Sequence, residues 1–191
     1  MTVLDVFETA DARAINEARM DHLADLGLDL SGKTVLDVGA GVGHLASRLA
    51  SMGAWVTCAD ARADNVEALR RNYLSVREAH VLDVEEDRLP PFSWDVVFCY
   101  GLLYHLEAPF RVLAKLVPAA RDLVLLETIV AAHPVPLVVL ADEPSLPNQA
   151  LRGVGSRPTP AWVVRALSRL GLWVYAPKRP PAHRDFEWAP R

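Results

Sequence analysis

Val35-Leu-Asp37-Val-Gly39-Ala-Gly41-Val-Gly43-His-Leu-Ala46 joins a short apolar run to a stretch whose apolar residues recur at helical spacing. Thr34 to Val38 reads as the first strand. Val42, Leu45, Ala46, Leu49 and Ala50 then repeat at i, i+3, i+4, i+7 and i+8, with Gly53 placed to stop the helix. A glycine turn between a strand and a helix lets the backbone bend sharply and lets a ligand approach the main chain, while the helix N–H groups face it. This context makes the glycines informative.

Outward from the turn, strands alternate with helices. A leading helix carries Ile15, Ala18, Leu23 and Leu26 and ends near Gly27. Trp55 to Ala59 is the second strand, Ala63 to Tyr73 a helix, Ala79 to Leu82 the third strand and Trp94 to Cys99 the fourth. A helix through Phe110, Val112, Leu113 and Leu116 leads to a fifth strand, Asp122 to Glu127. Residues 129–158 read as a Pro- and Ala-rich loop too long for a plain connector, expected to cover substrate. Thr159-Pro160 reads as the N-cap and first turn of another helix, and Leu172 to Tyr175 with Phe186 to Trp188 as a closing hairpin. Alternating strands and helices imply an α/β fold round a parallel sheet.

Composition narrows the class. The chain has 191 residues, 51% hydrophobic and 23% charged, enough apolar material for one domain with a real core and too much for a disordered or fibrous chain. The start lacks a basic segment, so no signal peptide is expected. Glu127, His133, Pro134 and Pro136 break the most apolar stretch, which argues against a membrane span. Cys58 and Cys99 fall in buried strands and fit reduced thiols in a cytoplasm. The net charge of −4 divides unevenly: from Arg152 onward there are eight basic residues against two acidic ones. A basic end suits an anionic substrate or a solvated face; in an acidic chain it argues against nucleic acid.

Asp60, at the end of the second strand, is placed to accept both ribose hydroxyls of a nucleoside. Turn and acid together indicate an adenosine-containing cofactor. Gly41-Val-Gly43-His-Leu-Ala46 can be forced into a dinucleotide pattern. However, Asp37 would then repel the pyrophosphate, whereas it would favour a cationic amino group or sulfonium. The length also leads us to expect no second domain for a hydride donor's substrate.

The Asp37-to-Gly43 segment resembles the first motif of class I S-adenosylmethionine-dependent methyltransferases. Leu82-Asp83-Val84 is similar to that family's third-strand motif, and Trp94 to Pro109 to its fourth. Asn148 to Val163, with Val174-Tyr-Ala-Pro177 and Pro181-Ala-His183, resembles a small bacterial subfamily of glycan and secondary-metabolite type. Ser156 stands where that subfamily has Cys, and Pro160-Ala161 where a basic residue is usual. The resemblance implies a doubly wound, Rossmann-like, mostly parallel sheet of seven strands in a single domain, residues 1–191, with 1–30 as a helical cap. It implies S-adenosyl-L-methionine as cofactor, bound by Asp37, Gly39, Ala40, Gly41, Asp60, Ala61, Asp83, Val84, Tyr100 and Gly101. Arg19 is a candidate for the methionine carboxylate, or an ordinary helix arginine. Asp83 is either an adenine contact or the N-cap of Glu85-Glu86-Asp87.

Three residues at the strand ends are catalytic candidates. His105 lies past the fourth strand, where open α/β sheets bind ligands. With an ordinary pKa near ~6.5 it is either a general base or a packing residue. Tyr104 is a pocket wall or a hydroxyl donor, and Glu127 shares the rim with Thr128. His44 reads as packing, His133 and His183 as loop residues within reach of substrate, and Trp162 and Trp188 as core aromatics. No Cys/His cluster has metal-ligand spacing. The expected reaction is methyl transfer to a hydroxyl of a small polar acceptor, anionic or sugar-like; a homodimer is compatible with the sequence. RNA methylation, a non-catalytic cofactor-binding subunit and an NAD-type oxidoreductase are the alternatives.

Overall fold

The structure, a computed structural model, describes residues 3–72, 76 and 78–186. Five parallel strands run in the order β3-β2-β1-β4-β5: β1 Thr34–Val38, β2 Trp55–Asp60, β3 Glu78–Val81, β4 Trp94–Tyr100 and β5 Ala120–Glu127. Helices α1 (Val3–Phe7) and α2 (Ala10–Asp25) precede them, and α3 (His44–Ser51), α4 (Ala63–Asn72) and α5 (Pro109–Ala119) connect them. The helix expected to reach Tyr73 is described to Asn72, and Tyr73 lies outside the described residues.

Because adjacent strand residues face opposite sides of a sheet, the two faces form separate cores. On one face Val35, Cys58, Val96 and Phe98 pack against Met20 and Leu23 of α2, Ala46 and Leu49 of α3, and Val66 and Leu69 of α4. On the other, Leu36, Val38, Val97 and Cys99 pack against Val112, Leu113 and Leu116 of α5 and against α6 (Pro160–Arg169). Cys58 and Cys99 thus sit on opposite faces, both buried thiols. Burial pushes both thiol pKa values up, that of Cys99 to about 12. No described helix is long and apolar enough to cross a membrane.

Two expectations are corrected. The first is the loop expected over 129–158, which contains an antiparallel pair, β6 (Val138–Asp142) with β7 (Val154–Pro158). Its backbone groups are satisfied by each other, so it is an element and not an irregular loop. The second is the sheet of seven strands: among the described residues five strands share the parallel sheet and two form this separate pair. No strand forms over Leu172 to Tyr175. Leu172 and Val174 pack on the α5–α6 core while Trp173 and Tyr175 are exposed. The chain beyond carries Pro177, Pro180 and Pro181, which have no N–H to give a ladder, and Arg184–Phe186 is a short 3-10 turn. Trp188 lies outside the described residues. Trp162 packs on the core, edge-on to Phe110.

Thr159 caps α6 as its sequence implies, its Oγ1 accepting from Trp162 N at 3.2 Å. The same oxygen accepts from Leu137 N and donates to Val135 O, which ties the strand pair to the helix.

Candidate active site

The strand order reverses direction between β1 and β4, and a crevice opens beyond their C-terminal ends. The turn after β1 forms one wall. Gly39 N and Ala40 N donate to Ala59 O at 2.8 and 3.1 Å, which bends the chain across β2. Gly39 and Gly41 have positive φ, 74° and 54°. A Cβ at Gly39 would lie 2.8 Å from the Leu102 side chain, and one at Gly41 2.9 Å from the Phe7 ring. The turn therefore needs glycine for its backbone and for the close approach of its neighbours.

Asp60 braces this turn. One carboxylate oxygen accepts from Gly41 N at 2.9 Å, the other from Arg62 N at 2.9 Å and Asn65 Nδ2 at 3.1 Å. Burial still leaves its pKa raised, outweighing those donors. Asn65 also reaches Pro147 O, and Arg62 reaches Gln149 O and Ala150 O, so the segment between β6 and β7 is strapped over the crevice.

Asp37 on β1 is fully buried, and its Oδ2 has no hydrogen-bond partner among the described residues. Burial, then the neighbouring charge of Asp60, push its pKa up to about 7. An unpaired buried carboxylate calls for a cation. An adenosine cofactor with a cationic end fits this donor set; a pyrophosphate does not.

Two cavities meet at the crevice. Asp60, Ala61, Asp83 and Val84 line the first, and Arg19, Ala40, Tyr100 and Tyr104 the second. Gly39, Gly41, Gly101, His105, Asn148 and Gln149 line both. Asp83 accepts from Glu85 N at 2.9 Å, as a capping acid would, and from Arg152 at 2.6 Å. Burial opposes its ionisation, but Arg152 and the Glu85 N–H hold the carboxyl below the usual range. Tyr100 stacks on Phe98 with ring centres 4.1 Å apart.

Arg19 is not an ordinary exposed helix arginine. It pairs with Glu127 at 2.8 Å, both side chains largely buried, and donates to Asn16 Oδ1. Glu127 is thereby committed to Arg19 and lines neither cavity.

His105 follows β4 in a one-turn 3-10 helix, Leu103–His105. Its Nδ1 lies 2.5 Å from Glu143 Oε2, and its ring sits 4.0 Å from that of Tyr104. Burial lowers its pKa, opposed by Glu143 and supported by Arg157 and Arg19. The lowered pKa favours the neutral ring. Tyr104 lies beneath the Arg157 guanidinium, 5.3 Å from ring centre to Cζ, and burial raises its pKa. It lines the second cavity.

Of the other histidines, His44 also lines the second cavity. His44 Nε2 lies 2.7 Å from Glu8 Oε1, a hydrogen bond where packing was expected. His133 is exposed and accepts from Val135 N; His183 accepts from Asp185 N beside α2. Neither lines the two cavities. Sequence reasoning missed Glu143, Arg152 and Asn65. Glu143 sits beside Asp142 in an apolar run, with nothing local to show that only one of the two turns inward.

Residues 36–122 match the family described as "Methyltransferase domain". The ubiquinone biosynthesis O-methyltransferase of Sodalis glossinidius is 37% identical over 110 residues, 54% of this chain and 44% of that protein. The chain therefore spans less than half the length of that relative. Among solved structures, an S-adenosylmethionine-dependent methyltransferase from Mesorhizobium loti aligns with TM-score 0.66 over 86% of each chain at 17% identity. The N-terminal domain of EvdMO1, with SAH bound, aligns with TM-score 0.63 over 79% of this chain and 70% of that one, at 19% identity. The fold is the Rossmann-like fold of these methyltransferases. Residues 36–122 are thus similar to methyltransferase domains in sequence, and the chain shares their fold.

Proposed function

We propose that the chain transfers the methyl group of S-adenosylmethionine to a hydroxyl of a small, polar, anionic or sugar-like acceptor, working as one domain. The observation that carries the reading is His105: its ring lies in the wall common to both cavities, with Nδ1 committed to Glu143. The name of the O-methyltransferase relative supports an oxygen acceptor.

Asp60, Asp83, Ala61 and Val84 would hold the adenosine end, and Asp37 with the backbone at Tyr100 and Gly101 the cationic amino-acid end. Arg19, balanced by Glu127, would meet the carboxylate. When bound, S-adenosylmethionine supplies a methyl group already activated by its sulfonium. The protein's work is then alignment, worth up to ~7–11 kcal/mol, and proton removal. Asn148 and Gln149 on the strap, with Phe7 and Leu102 over the glycines, close the crevice against water. The acceptor hydroxyl gives its proton to His105 Nε2.

The test is turnover at saturating cofactor across a panel of hydroxylated small molecules. His105→Gln should lose about 10²–10⁴-fold in turnover while keeping its affinity for S-adenosylhomocysteine. The wild-type acid limb should fall below the ordinary histidine range, because burial lowers the His105 pKa and only the neutral ring accepts a proton. Nearly full turnover in His105→Gln would sink the base reading.

A further inference from the structure

We infer that Glu143 is the positioning residue for the base: by accepting from Nδ1 it holds His105 in the Nδ1–H tautomer, so that Nε2 is the nitrogen left to take a proton. The inference rests on the reading of His105 above.

Glu143 follows β6 directly, and its side chain is only 2% exposed. All its hydrogen-bonding capacity is directed. Oε2 meets His105 Nδ1 at 2.5 Å and accepts from Ala150 N at 2.8 Å. Oε1 accepts from both terminal nitrogens of Arg157, at 3.1 and 3.0 Å. Burial works against its charge, but the Ala150 N–H, His105 and Arg157 together hold the carboxyl below the usual range. An ionised carboxylate only accepts, so the ring nitrogen facing it must carry the hydrogen.

Arg157 answers a second requirement. A lone buried carboxylate beside imidazole would favour imidazolium, which is useless as a base. The guanidinium on the opposite oxygen offsets that charge. Arg157 is itself fixed by donating to Tyr104 O at 2.8 Å. Gly155 on β7 permits the packing, since a Cβ there would collide with Glu143 Oε1 and Tyr104 O. The charged groups acting on the ring are thus Glu143 and Arg157 from the strand pair and Arg19 from α2.

The geometry makes Glu143→Gln informative. An amide has one accepting oxygen. If it remains opposite Arg157, the amide NH2 faces His105 Nδ1, which must become an acceptor, and the hydrogen moves to Nε2. The experiment is long-range ¹H–¹⁵N correlation of the imidazole in the full chain, for wild type and Glu143→Gln, across pH. Wild type above its His105 pKa should show Nδ1–H. The variant should show Nε2–H, with a further lowered pKa because the Glu143 charge is gone. Its turnover should drop, by no more than the ~10²–10⁴-fold a base contributes, with S-adenosylhomocysteine affinity unchanged.

Wild type in the Nε2–H form overturns the inference, even if the variant does not fold. So does a variant in the Nε2–H form that keeps wild-type turnover when His105→Gln has lost it. If His105→Gln retains turnover while wild type is Nδ1–H, the base reading falls and the tautomer assignment stands.

Discussion

Asp37 shows what a single side chain can do to the whole. The fold holds its carboxyl pKa at about 7, whereas in the unfolded chain it ionises near ~3.9. Between those values the folded state binds the extra proton, so stability falls as pH rises through the window and is level above it. Roughly three units correspond to a cost on the order of 4 kcal/mol at pH 8. Asp37→Asn should therefore be more stable than wild type at pH 8 without ligand, with the gain vanishing toward pH 4, as read by thermal melts over that range. It should also bind S-adenosylhomocysteine more weakly, having lost the charge opposite the ammonium. A variant no more stable than wild type at pH 8 would contradict the unpaired-carboxylate account. Asp60→Ala should weaken the same ligand by about 1.5–3 kcal/mol, measured by titration calorimetry. A lower melting temperature should accompany that loss, because Gly41 N and Asn65 lose their acceptor. Asp37, Asp60 and His105 were legible because each belongs to a local pattern of strand, turn and strand end. Glu143 was not: its contact with His105 spans 38 residues, and nothing in the sequence pairs them.

At the level of elements, the β6–β7 pair and its strap carry the contrast. Val138-Val-Leu-Ala-Asp142 has strand-forming residues, but Val154-Gly-Ser-Arg-Pro158 has a glycine and a terminal proline and no strand signature. Pairing makes it a strand, which is why the prolines around it suggested only a loop. Thr159 locks the pair to α6, and Thr159→Ala should cost about 1–2 kcal/mol in chemical denaturation, since the cap and two further bonds go together. Arg152 spans the strap to Asp83, Glu85 and Glu86 at 2.6, 3.0 and 3.4 Å. Its side chain is one-third exposed, so Arg152→Ala should cost under about 1 kcal/mol of stability. Its larger effect should be faster release of S-adenosylhomocysteine, seen in stopped-flow dissociation. An unchanged release rate would mean that the strap does not restrain the ligand.

For the whole molecule, a ligand that binds only the folded state must raise the melting temperature. At 100 times its Kd, S-adenosylhomocysteine should add about 2.7 kcal/mol, a rise of roughly 5–10 °C for a chain this size. NADH should give no such shift. The reverse result would remove the methyltransferase reading, since the glycine turn alone serves both cofactor classes. The order β3-β2-β1-β4-β5 places turn, acids and histidine at one edge of the sheet. Right-handed crossovers between parallel strands constrain such an order.

By itself the sequence determined the parallel α/β core, the glycine turn and the acid at the end of β2 that stands beside it. Hydrophobic period and turn chemistry act over a few residues and are written where they act. Only the tertiary structure decided that Glu127 is tied to Arg19, that Glu143 stands behind His105, and that Arg157 is spent on Glu143 and Tyr104 O. Each of these assignments depends on which charged side chains the fold removes from water together. A buried charge must take whatever partner packing brings within reach, and that choice is set by the approach of segments distant in the chain.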